Sequence, residues 1–201
     1  VYDDGILCQE CEHRYHAIDT RGVRSLFQIP YKTLKVYGKR QLIQKYSDEA
    51  NAWDIRVFLY FTLLKACWSK QEVYSNVSLE PEVENHFRET VESGNEPDNL
   101  VVPIFLVQHG LVTRGFLTTP AIYHGLITVI PRKNYIVYQL SIGELCAWIF
   151  AGKEAPQFGD VTRHLALRDG RRVNILRSPE SDAANENWIA QLIADRIRSG
   201  G

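Results

Sequence analysis

The sequence contains no methionine, not even at position 1, and almost no net charge, with 23 Lys and Arg against 24 Asp and Glu. The first absence points to a natural start that has been removed or that lies upstream. The second removes any global sign that would draw the chain to nucleic acid or to a membrane surface, so electrostatic attraction has to come from local clustering. Long hydrophobic runs are missing too. The most apolar, Val57 to Leu64, is closed by Lys65 and falls well short of the ~20 residues that span a bilayer. Val1-Tyr2-Asp3-Asp4 supplies neither a basic n-region nor an apolar h-region, so no signal peptide and no membrane partner are expected, and the cytoplasm is the default location. Internal repeats and low-complexity segments are absent.

Cysteine is scarce, with four residues in 201. Cys67 and Cys146 lie within apolar segments, and Cys8 and Cys11 stand too close together for an ordinary structural disulfide, so a reducing compartment suits them all. What is present is globular: 45% hydrophobic and 23% charged residues, in a length that supports one domain or a main domain with a small appendage.

The clearest element is a helix over 51–68. Asn51 suits its N-cap and Asp54 its positive end, and apolar residues surround it nearly all round, which marks a central buried helix. A second helix starts near Pro81, buries Val83, Phe87 and Val91, and ends at Gly94. The period then changes. The segments 122–130, 135–140 and 145–150, rich in β-branched and aromatic residues and joined by short turns, predict an antiparallel meander. The run 100–107 is interrupted by Pro103 and predicts an edge strand. A late strand is expected over 171–176 and an amphipathic helix over 183–198. The expected fold is therefore α+β, a central buried helix on an antiparallel meander. Residues 1–47 form a separate N-terminal C-x-x-C and basic segment, irregular at first and then built of short strands, and 48–201 form the α+β domain.

The sharpest chemical signal is Cys8-Gln9-Glu10-Cys11. Two thiolates at this spacing can face one tetrahedral Zn²⁺ from a knuckle turn, but a complete site needs two more ligands. His13 and His16 are nearest, although closing a site over so little chain strains the backbone. Unmetallated thiols in a loop remain the alternative. From Thr20 to Ser47 seven basic residues occur without a carboxylate. Arg21, Arg24, Lys32, Lys35, Lys39 and Arg40, interleaved with Phe27, Tyr31 and Tyr37, can neutralise phosphates and stack bases; the alternative is a solvated strand face. From Glu80 to Asp98 the sign reverses, with seven carboxylates against Arg88, a surface suited to a protein partner. His86, His109, His124 and His164 belong to no recognisable catalytic pattern and are expected to be structural.

Taken together, Gly5-Ile6-Leu7-Cys8-Gln9-Glu10-Cys11-Glu12, Asp19, the helix with Phe58-Leu59-Tyr60-Phe61 and Cys67-Trp68-Ser69, and Val77-Ser78-Leu79-Glu80 resemble bacterial HNH-endonuclease-like proteins over roughly residues 5 to 155. The resemblance implies that Cys8 and Cys11 are the second pair of a zinc ribbon, here in half, followed by a helix-plus-meander domain. It also implies DNA as partner and Mg²⁺ or Mn²⁺ as cofactor if the protein is a nuclease. The chain departs from the group in lacking the first cysteine pair and the water-activating histidine, for which His13 and His16 are the only nearby substitutes. Three functions follow: a zinc-supported nuclease or nuclease remnant that binds nucleic acid, a non-catalytic interaction or scaffold module, and an enzyme with a small-molecule pocket between helix and meander.

Overall fold

A computed structural model describes residues 6–37, 42–100, 102–108, 127–142, 145–152, 166–168 and 172–177; for 34–37, 42–45 and 177 it describes the backbone alone. The helix expected over 183–198, together with His109, His124, His164, Lys39 and Arg40, lies outside the described residues.

The central helix, α2 (Ala52–Trp68), begins where Asn51 accepts hydrogen bonds from the N–H groups of Trp53 and Asp54 at 3.0 and 3.4 Å. That side chain satisfies amides for which the helix has no internal partner. Ile55, Leu59, Tyr60, Leu63 and Leu64 are fully buried, which explains a sequence apolar on nearly every side. Helix α3 (Pro81–Ser93) has Pro81 at its first turn and buries Val83, Phe87 and Val91. It stops at Gly94, whose φ of 72° is the left-handed conformation that glycine adopts without cost. Tyr60 of α2 stacks on Phe87 of α3 at 4.0 Å between ring centroids.

The helices pack on one seven-stranded sheet of order β1-β2-β7-β3-β6-β5-β4. Its strands are β1 (Lys32–Tyr37), β2 (Leu42–Ser47), β3 (Ile104–Gln108), β4 (Ile127–Pro131), β5 (Ile136–Ile142), β6 (Leu145–Ala151) and β7 (Val173–Arg177). Strands β4, β5 and β6 form the expected antiparallel meander. Alternate residues of β6 separate cleanly: Leu145, Ala147 and Ile149 join the cluster beneath the helices, while Cys146, Trp148 and Phe150 join Phe105 and Val107 on the opposite face. Burial on both faces accounts for the unbroken apolar run.

Two expectations fail. The strand after Pro103 is interior, paired antiparallel to β6 and parallel to β7. Pro103 is harmless there because it precedes the ladder and only accepts, taking a hydrogen bond from Phe150 N–H at 3.0 Å. The described N-terminal segment is helical from Gln9 rather than irregular. Gln9–Val23 form helix α1, and Arg24–Gln28 continue it as a π-helical turn. Among its residues only Ile18 and Gly22 are fully buried, so the helix is held by packing on α2 rather than by a broad apolar stripe. Residues 6–47 share the core and the sheet of the rest, through α1 on α2 and β2 on β7.

Candidate functional site

Helix α1 with its N-cap carries both cysteines of the C-x-x-C, His13, His16 and Arg21 among the side chains for which chemistry is expected. Its docking is set by close contact: Gly22 backs onto Phe58, and the rings of Tyr15 and Phe61 lie 5.0 Å apart. Two ion pairs flank the contact. Arg21 Nε lies 3.1 Å from Asp54, and Lys65 Nζ donates to both Asp19 oxygens at 3.0 and 3.1 Å while sitting 4.4 Å above the Phe61 ring.

The pair Cys8 and Cys11 opens this helix, not a knuckle turn, which corrects the zinc-ribbon expectation for the backbone here. Cys8 is the N-cap, with extended dihedrals (φ −71°, ψ 159°), and its sulfur accepts the Cys11 N–H at 3.4 Å. Cys11 is the third helical residue. N-cap and third-residue side chains reach toward each other across the first turn, the arrangement that a capping box exploits. The hydrogen bond from the Cys11 backbone holds the Cys8 thiol below its ordinary value, and the hydrogen bond with Cys8 pushes the Cys11 thiol up. Cys8 is therefore the thiol on which negative charge is better tolerated.

Two thiols on one helical turn fit half of a tetrahedral zinc site by donor chemistry and spacing. Among the described residues, no group of three or more His, Cys, Asp or Glu side chains is gathered where it could hold a metal ion. His13 and His16 are therefore not gathered with the thiols into such a group. Both are exposed and line a cleft of about 710 Å³ bounded by α1, α2 and the ends of β4 and β5, and the cysteines take no part in its lining. Glu12 and Asp19 share the α1 wall, Lys65 projects from α2, and Phe58, Phe61 and Leu140 supply an apolar floor. His16 Nε2 lies 3.4 Å from the Thr20 hydroxyl. The cleft between helix and meander is a pocket of the size small-molecule sites have.

Comparison with protein-family models, with curated proteins and with solved structures finds no match.

The basic residues do not occupy one continuous surface strand. Arg21 lies in the last turn of α1 and is engaged with Asp54, Arg24 is exposed on the π-helical turn, and Lys32 and Lys35 lie on β1, an edge strand. The interleaved aromatics divide as well. Tyr31 is half-buried and donates to the Ser25 carbonyl at 2.9 Å, whereas Phe27 is 42% exposed.

Glu96 belongs to the acidic run from Glu80 to Asp98, which was expected to face a protein partner. It is instead the centre of a shielded network: Arg56 Nε donates to it at 2.8 Å, Tyr60 Oη at 2.7 Å and His86 Nε2 at 3.1 Å, while Arg56 also donates to the Val102 carbonyl at 3.0 and 3.1 Å. Nδ1 of the fully buried His86 lies 2.7 Å from the Asn99 side-chain amide. Burial alone would push the Glu96 carboxyl up. The hydrogen bond from His86, the charge and hydrogen bond of Arg56 and the Tyr60 hydroxyl outweigh it and bring the group down to about 2. The network ties the segment that follows α3 to α2 and α3.

Proposed function

We propose that this chain is the body of a zinc-supported, HNH-related protein that binds nucleic acid, with Cys8 and Cys11 as one half of the zinc site. The observation that carries the proposal is the placement of both thiols at the start of α1, Cys8 as N-cap and Cys11 in the first turn, where two sulfur ligands can converge on one ion. Zinc bound there would fix the start of α1 and act structurally. Arg24 and Lys32, both exposed, would meet phosphate, with Phe27 as a stacking surface.

The test is elemental analysis of protein purified from its whole reading frame, together with nucleic-acid binding across a salt series. One zinc per chain, lost in Cys8→Ser, is the expected result. Binding should weaken with salt, and Arg24→Ala with Lys32→Ala should lower the logarithmic salt slope by about 2. Protein without zinc, or binding indifferent to salt, removes the proposal.

A second reading, a non-catalytic interaction module, is favoured by the exposed positions of His13 and His16 on α1. A general base is normally oriented by a partner group, and the contact seen for His16 is a long one to Thr20. Cleavage assays with Mg²⁺ or Mn²⁺ decide between the two. Cleavage abolished by His13→Ala or His16→Ala would establish a nuclease, and no cleavage under either metal leaves binding alone.

A further inference from the structure

Cys8 and Cys11 stand in a relationship that zinc ligation does not require. They occupy the N-cap and the third helical position, whose side chains face one another, and the Cys11 N–H already points at the Cys8 sulfur from 3.4 Å. Cys8 has extended dihedrals and joins the helical ladder through its carbonyl, which accepts the Glu12 N–H at 2.9 Å, so its sulfur can swing toward Cys11 without breaking a backbone hydrogen bond. The two are also unequal in access. Cys8 is exposed and Cys11 only partly so. A C-x-x-C that opens a helix in this way combines an accessible attacking sulfur with a second sulfur one turn further on. The remaining cysteines lack such a neighbour in sequence: Cys67 is half-buried near the end of α2, and Cys146 is buried in β6.

We propose that Cys8 and Cys11 form a reversible dithiol–disulfide pair, with Cys8 as the attacking sulfur and Cys11 as the resolving one. The oxidant is a low-molecular-weight disulfide of the glutathione class. Cys8, as thiolate, attacks one sulfur of oxidised glutathione. The S–S bond of the reagent breaks, a mixed disulfide forms on Cys8, and one glutathione leaves as thiolate and takes up a proton. Cys11 then loses its proton and attacks the Cys8 sulfur, forming the Cys8–Cys11 bond and releasing the second glutathione. Two protein thiols are oxidised and one glutathione disulfide is reduced to two thiols. Reduced glutathione in excess runs the sequence backwards.

The experiment uses metal-free, fully reduced protein, so its outcome is separate from that of the zinc proposal. The chain and its Cys8→Ser and Cys11→Ser variants are treated with oxidised glutathione and quenched, and the fragment ending at Arg14, which contains both cysteines, is analysed by mass spectrometry. Circular dichroism first establishes that each variant is folded. Three results are expected together: an internal disulfide in the parent chain, a trapped glutathione adduct on Cys8 in Cys11→Ser, and an adduct at least tenfold slower on Cys11 in Cys8→Ser, an order-of-magnitude margin set by unequal access. The internal bond should reopen with reduced glutathione. Equal adduct formation in the two variants overturns the assignment of roles. A parent chain that stops at the mixed disulfide, without closing the internal bond, overturns the pair itself.

Discussion

Gly22 backs directly onto the side chain of Phe58, leaving no room for a Cβ where α1 crosses α2. The closeness explains why a glycine is found inside a helix that it weakens by its own backbone freedom. Gly22→Ala should therefore destabilise the fold, although alanine is the better helix former. The expected loss is about 1–3 kcal/mol, the usual cost of overpacking, read from the midpoint of denaturant unfolding. A stabilised variant would show that α1 shifts freely over α2.

Glu96 links stability to acid. Its carboxyl is at about 2 in the folded protein against an ordinary 4.5, so the folded state holds the ionised form more strongly than the unfolded chain does. The contribution is fully present above the unfolded value and is lost as pH falls from about 4.5 to about 2. Glu96→Gln should cost roughly 1–3 kcal/mol at neutral pH, because it leaves Arg56 and His86 short of a shielded acceptor. It should also flatten the stability profile in that acid window. Urea unfolding of both proteins at several acid pH values checks both points.

Asn51 caps the helix that forms the centre of the core. Asn51→Ala should cost about 1 kcal/mol and Asn51→Ser or Asn51→Asp much less, since either replacement keeps an oxygen for the Trp53 and Asp54 amides. Thermal unfolding of the series would reveal a different origin if all three fell equally.

The Asp19–Lys65 pair should behave differently from Glu96. Both partners are partly exposed, with side-chain exposures of 39% and 28%. Asp19→Asn should change stability by no more than about 1 kcal/mol, the range for exposed ion pairs, and raising the salt concentration should shrink the difference. A large loss would mean that the pair is shielded by the cleft.

Helices α2 and α3 and the β4–β5–β6 meander were legible in the sequence because each announces itself twice, by its periodicity and by its ends: Asn51, Pro81 and Gly94 are capping chemistry as well as boundaries. Helix α1 was hidden because its inward contacts, at Tyr15, Ile18 and Gly22, include one glycine and one aromatic among charged residues, and because a C-x-x-C suggests a metal turn before it suggests a helix start. Pro103 misled because its effect depends on whether it falls inside a ladder or one residue before it. At the candidate site, the thiol pair was visible as a local pattern. The cleft was not, since Asp19 meets Lys65 only when α1 lies across α2, and Glu96 could not be separated from its acidic neighbours without knowing that Arg56, Tyr60 and His86 converge on it.

The placement of β7 sets an order of assembly. Among the described residues the β1–β2 pair joins the other strands through β7, which pairs with β2 on one side and with β3 on the other. During synthesis the hairpin emerges early and must wait for residues 173–177, more than a hundred positions later, before it has a neighbour to complete its outer hydrogen bonds. Such distant closure is slow. Late docking of the β1–β2 pair is the expected consequence, and until it occurs the unpaired side of β2 is open to the wrong strand.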